Sequence, residues 1–173
     1  PRRYTRQMLR RTVPLILVLS AAPLIGCDTM EANRGAKSLL AVFQPPDPGD
    51  AVELALDEYD ADRRYRGTAL LANAPFGGET PYLELFRDAA NDPDSGVRQV
   101  GIRALGIHGE PSDAAVIIER LTDEEWLVRM EAARALQRIH NEQAVVPLME
   151  RTTIQNEMNA QVRAEAVHAL GQY

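Results

Sequence analysis

The sequence predicts an all-α protein, an α-solenoid of about four stacked helical hairpins. A ten-residue register recurs at residues 97–106, 128–137 and 162–171, with Val, then Arg, then Gly or Ala, then Ala and Leu in the same columns. The copies start 31 and 34 residues apart, and self-similarity at such a period marks an array whose units bury their faces only by stacking. Within each copy the small and apolar residues fall at offsets 0, 4, 7 and 8, one stripe on a helix of 3.6 residues per turn. In the middle copy the stripe is Val128, Ala132, Ala135 and Leu136, continued by Ile139. Composition agrees, because 5% aromatic residues and a hydrophobic fraction rich in Ala and Leu suit close-packed helices better than a sheet sandwich. Small residues in the stripe also require the facing backbones to come close, and one such helix buries too little apolar area to stand alone.

A weaker copy lies upstream, with Arg64, Gly67 and Leu71 in register and Arg63 where the others have Val. That exchange fits a terminal unit whose outer face meets water. Four residues before each register arginine stands a polar or acidic residue: Asp60 before Arg64, Asp94 before Arg98, Glu125 before Arg129 and Asn159 before Arg163. Groups at i and i+4 share one helix side, and an acid at a helix start also complements the dipole. These four pairs are expected to form a structural ladder along the stack, with no catalytic role.

The segments Asp92-Pro93-Asp94-Ser95-Gly96-Val97-Arg98 with Ala104-Leu105-Gly106, Glu125-Trp126-Leu127-Val128-Arg129 with residues 132–136, and Val162-Arg163-Ala164-Glu165-Ala166 with Ala169-Leu170-Gly171 resemble bacterial HEAT repeats. They are most similar to the HEAT-like subtype shared with phycobilisome lyases. The resemblance covers residues 50–173 and implies a helical repeat domain there. It leaves function open, because one fold hosts many activities.

In chain order, residues 1–26 carry Arg2, Arg3, Arg6, Arg10 and Arg11 and no acid. The rest of the chain sets 14 of the 19 basic residues against all 25 acidic ones, a net charge of −11. So acidic a body argues against a nucleic-acid partner. The basic start, the apolar run 13–25 and its small-residue end have the form of a secretory signal. Those thirteen residues would span ~20 Å as a helix, short of the ~30 Å hydrocarbon core. Pro14 and Pro23 also sit badly inside a buried helix. Leu24-Ile25-Gly26-Cys27 then resembles the lipobox of bacterial lipoproteins, with Cys27, the sole cysteine, as the residue that is acylated and becomes the new N-terminus. A single cysteine leaves no intrachain disulfide. Residues 27–49 form the expected tether. Its Pro45-Pro46-Asp47-Pro48-Gly49 is a stiff extended piece, and its apolar run Ser38-Leu39-Leu40-Ala41-Val42-Phe43 is expected to pack on the first repeat.

The repeat domain, residues 50–173, opens with Asp50 as cap, followed by Val52, Leu54 and Leu56. Thr80 and Pro81 start the second hairpin, with Leu83, Leu85 and Phe86 inward. Pro111-Ser112-Asp113 opens the third, with Val116, Ile117 and Leu121 inward. Asn141 opens the fourth, where Val145, Val146, Leu148 and Met149 are the expected inner face and Pro147 is expected to bend the helix. Between Arg151 and Asn159 the turn is three residues longer than its counterpart, an insertion of the kind that sits on one edge of a solenoid.

No catalytic constellation is present in the sequence. His108, His140 and His168 occupy different repeat positions without ligand spacing, so no metal and no cofactor is expected. His108 and His140 suit helix C-termini. Trp126 suits an aromatic wedge between hairpins, with ligand stacking as the alternative. Offsets 2 and 6 of the register lie opposite the buried stripe. This sets Gln99, Met130 and Ala164, then Arg103, Arg134 and His168, on the exposed and expectedly concave side of the second helices. With Arg138 and Trp126 these basic residues are the candidate partner-binding set, suited to an acidic protein surface. The leading function class is a non-enzymatic scaffold or accessory subunit. It would bind a protein partner within a larger membrane-associated complex, anchored in a bacterial envelope membrane through Cys27 and facing the periplasm or the outside. The alternatives are a chromophore-lyase-like enzyme, implied by the lyase resemblance, and an unprocessed membrane-anchored subunit of a larger complex.

Overall fold

The computed structural model describes residues 47–173. The expected signal, Cys27 and the apolar run at 38–43 lie outside the described residues. Among those described there are eight α-helices and no strand, arranged as four hairpins. Their first helices are α1 (Pro48–Ala55), α3 (Thr80–Ala89), α5 (Ala114–Glu119) and α7 (Val145–Glu150). Their second helices are α2 (Ala61–Ala72), α4 (Ser95–His108), α6 (Trp126–Leu136) and α8 (Ala160–Leu170). Each first helix packs on its own second helix, and the second helices pack in series, α2 on α4, α4 on α6 and α6 on α8. The second helices are thus the spine of an α-solenoid.

Register positions account for the core. Val97, Ala104 and Leu105 of α4, Val128, Ala132, Ala135 and Leu136 of α6, and Val162, Ala166 and Ala169 of α8 are all buried. First helices contribute the larger side chains, with Leu83 and Phe86 on α3, Ile117 and Leu121 in the third hairpin and Leu148 on α7. Small residues set the hairpin spacing. A Cβ at Gly67 would stand 2.6 Å from the Ala51 carbonyl oxygen, and one at Gly101 would stand 2.7 Å from the Ala89 carbonyl carbon. Those are backbone atoms of the partner helix, so any side chain must push the hairpin apart. In the third and fourth hairpins, whose first helices shorten to six residues, the column becomes Ala132 and Ala166.

Local details differ from expectation at several starts. Asp47, not Asp50, caps α1, its carboxylate accepting the Gly49 N–H at 2.7 Å. Pro48 occupies the first helical position, where its missing N–H costs nothing, so the last two residues of the expected tether are helical. Glu79 is the N-cap residue of α3, with Thr80 and Pro81 inside the first turn. Pro147 does not bend a long helix. A 3-10 turn, Glu142–Ala144, precedes α7, and this places Pro147 in the first turn of a short helix, where no N–H is required. That same geometry turns Ala144 and Leu148 inward and leaves Val146 and Met149 exposed.

The contact at Gly101 yields a test. Gly101→Val is expected to cost at least ~2 kcal/mol of unfolding free energy, measured by urea denaturation, whereas a change below ~0.5 kcal/mol would mean the hairpins have slack at this column.

Candidate functional site

The register arginines do form a ladder, but with acids other than those four residues upstream. Arg64 on α2 reaches into the next hairpin, where Nε and Nη2 donate to the Asp92 carboxylate at 2.7 and 2.9 Å. Arg98 on α4 does the same to Asp123 at 2.8 and 2.9 Å, and Arg129 on α6 to Glu157 at 2.6 and 3.0 Å. The third guanidinium nitrogen holds the turn of the arginine's own hairpin. Nη1 donates to the Asp57 carbonyl from Arg64, to those of Asp92 and Pro93 from Arg98, to those of Asp123 and Glu124 from Arg129, and to those of Glu157 and Met158 from Arg163. Each rung therefore ties one turn to the next.

The expected partners are helix caps instead. Asp60 accepts the Asp62 and Arg63 N–H groups, Asp94 that of Val97, and Asn159 those of Gln161 and Val162. Glu125 holds the cap position of α6 without a side-chain cap bond. An N-cap side chain is turned back onto its own helix start, and that removes it from the arginine one turn later. The true ladder acids stand two residues before each cap, and each accepts the N–H of the cap residue itself: Asp94 to Asp92, Glu125 to Asp123, Asn159 to Glu157. The acid-x-cap spacing was visible in the sequence and would have identified them. Glu157 also explains the three-residue insertion. There Thr152 and Thr153 hydroxyls donate back to the Met149 and Glu150 carbonyls, and Arg151 Nη1 donates to that of Asn156. This folded turn delivers Glu157 to Arg129.

Burial works against charge on Asp92, Asp123 and Glu157, yet each stays below the usual carboxylate range. The arginine hydrogen bonds, the cap N–H and the nearby positive charge together outweigh desolvation. A second tie runs between first helices and the next hairpin, where Arg87 on α3 bonds the buried Asp113 carboxylate at 2.5 Å. His108, at the end of α4, bonds the Ala72 carbonyl at 2.8 Å through Nε2 and stacks on Phe86. His140 stacks on Tyr173.

Of the candidate partner-binding residues, Arg103, Arg134 and His168 lie on α4, α6 and α8, Trp126 starts α6 and Arg138 lies in the turn after it, so they do not form a plain basic row. Met130, expected outside, is buried, as is Glu131 beside it. Arg134 is held by Glu165, with Nε and Nη2 at 2.9 and 2.8 Å from one carboxylate oxygen, and Gln137 bonds the other oxygen at 3.0 Å. Arg103 and Arg138 are exposed and make no ion pair or hydrogen bond among the described residues. Both still act on Glu131 through space. His168 is exposed on α8 near Glu165, while Trp126 is half-buried as the first residue of α6. The surface is therefore a network of arginines laced with two acids, in which only Arg103 and Arg138 retain free guanidinium groups.

Glu131 departs from every ladder acid. Its carboxylate has only a 3.9 Å contact to Arg134, and burial, opposed by the surrounding arginines, raises its pKa. Among the described residues no group of three His, Cys, Asp or Glu side chains has the arrangement of a metal site.

A spine of second helices, shallow turns and a polar ladder along one edge define the chain as an α-solenoid. The family model for HEAT repeats matches residues 50–136 and again residues 114–173, and the chain belongs to the HEAT-repeat family, a helical repeat scaffold suited to protein–protein interaction. No curated protein matches the sequence.

A raised pKa in the folded state means that Glu131 costs stability above that pKa and nothing below its unfolded value near ~4.3. Glu131→Gln is therefore expected to melt above the wild type at pH 7, with the gap closing toward about pH 4; a gap independent of pH would contradict this assignment.

Proposed function

We propose that this protein is a non-enzymatic scaffold or accessory subunit that holds an acidic protein partner at a bacterial envelope membrane. The observation that carries the binding role is the pair of uncommitted guanidinium groups, Arg103 on α4 and Arg138 in the turn that follows α6. The planar guanidinium fork presents two donors that match a carboxylate. Arg134 stands between them already paired to Glu165, so it serves the site by holding its neighbour's frame rather than by capturing the partner. Both free arginines act through space on the buried Glu131. Exposed arginines on an otherwise acidic body favour some orientations of an acidic partner over others.

The membrane role rests on the sequence Leu24-Ile25-Gly26-Cys27 at the end of the apolar run. Acylation there, followed by the proline-rich tether, would hold the solenoid a short distance from the bilayer, and a lipid anchor adds about 0.8 kcal/mol per buried CH₂.

Crosslinking in membranes of the producing bacterium tests both parts. The protein is expected to have the mass of a chain starting at acylated Cys27. It should crosslink to one partner through an Asp- or Glu-rich peptide, with the Arg103→Glu/Arg138→Glu variant losing that crosslink at unchanged helicity. Partner capture unaffected by the double charge reversal would refute the binding surface.

A further inference from the structure

The exposed side of the second helices pairs hairpins at another set of columns, and one rung there stands open in the middle of the array. Counted from the Val that starts each register copy, Glu165 at offset 3 of α8 takes Arg134 at offset 6 of α6, and Gln137 at offset 9 is the second donor. The same offsets one hairpin earlier set Glu131 of α6 against Arg103 of α4. That rung is not closed. Arg103 makes no ion pair among the described residues, and the Glu131 carboxylate, on a side chain only 9% exposed, has no more than its 3.9 Å contact to Arg134. Offset 9 on α4 is Gly106, so the chain supplies no counterpart of the Gln137 carboxamide.

A recess lies at this open rung, lined by Tyr65 of α2, Gln99, Val100 and Arg103 of α4 and Glu131 of α6. Its four polar side chains have no hydrogen-bond partner among the described residues, and a buried acceptor left in that condition is costly. The recess offers about 40 Å³ to water-sized groups. One water takes roughly 10–15 Å³ on that measure, so the space suits a head group of about three heavy atoms. Charge narrows the choice. A cation there would stand among Arg103, Arg134 and Arg138, which all act on Glu131, and an anion would face Glu131 itself; like charges so placed disfavour both. A neutral group with a donor for the carboxylate and an acceptor for the guanidinium satisfies both walls, and a carboxamide has these on its nitrogen and oxygen.

We propose that the recess takes the carboxamide of a glutamine or asparagine side chain of the acidic partner, its N–H donating to Glu131 and its carbonyl oxygen accepting from Arg103. This site rests on the partner-binding role given to Arg103 above, and it specifies what the partner presents: one amide side chain set among its acids.

Fluorescent acidic peptides that differ only in a central Gln, Leu, Lys or Glu test this by anisotropy against the full chain in mild detergent. The Gln peptide is expected to bind about tenfold more tightly than the Leu peptide, the difference made when a buried polar pair goes unsatisfied. It should also bind more tightly than the Lys and Glu peptides. In Glu131→Leu, which removes the buried acceptor, the preference for Gln over Leu should fall below about threefold while the Leu peptide keeps its affinity. With the carboxamide nitrogen isotopically labelled, its N–H resonances should shift on binding to the wild type and not to Glu131→Leu. Equal affinities for the Gln and Leu peptides, a preference for Lys or Glu, or a Gln preference that survives Glu131→Leu would each overturn the carboxamide site and leave the acidic-partner surface in place. A wild type that binds none of the peptides below about 1 mM would overturn both.

Discussion

A guanidinium group that binds two turns at once is the constraint on which this solenoid depends. Helical hairpins lined with Ala and Gly pack closely but without much shape, since a stripe of small residues can slide along its neighbour at little cost. The register arginine removes that freedom. Nη1 is committed to carbonyls of its own turn and the Nε/Nη2 edge to a carboxylate of the next, so the two turns cannot shift without breaking several charge-assisted bonds. The side chains of Arg98 and Asp123 are 7% and 3% exposed. At that burial, losing one partner costs far more than the intact pair contributes over an apolar replacement. The ladder is therefore best understood as a device for register rather than as a source of net stability.

The division of labour between helices follows from this. Second helices carry the small-residue stripe and the arginines, and they stack in series. First helices carry the bulk, from Phe86 to Leu148, and the shortest of them are six residues. Because the spine fixes geometry, the insertion before α8 is tolerated, provided it still brings an acid under Arg129. Glu157 meets that requirement within a turn held by its own hydroxyl and arginine bonds.

Repeat columns made the hairpin count, the buried stripe and the arginine positions legible in the sequence, because each is a periodic property of a single helix. The ladder acids were not legible by the same means. Their partner lies 25 to 28 residues away in sequence, while an equally acidic residue stands four away at the cap position of the arginine's own helix. Glu131 was hidden for a related reason: by charge it belongs outside, and only the closeness of α4 to α6 buries it. The pairing of Arg134 with Glu165 across α6 and α8 likewise needs the stack to exist before it can be seen. What survives of the basic row, Arg103 and Arg138, is the part that stacking leaves unused, and surfaces not consumed by the fold are where a partner can be held.

The register of the solenoid depends on each arginine acting across hairpins. A double-mutant cycle on Arg129 and Glu157, run by urea denaturation beside a control cycle on Arg129 and Glu125, measures this directly. The 129–157 coupling is expected to reach about 2 kcal/mol or more and the 129–125 coupling to stay below about 0.5 kcal/mol. Equal couplings, or the larger value for Glu125, would show that the arginine column braces single helices and does not join one hairpin to the next.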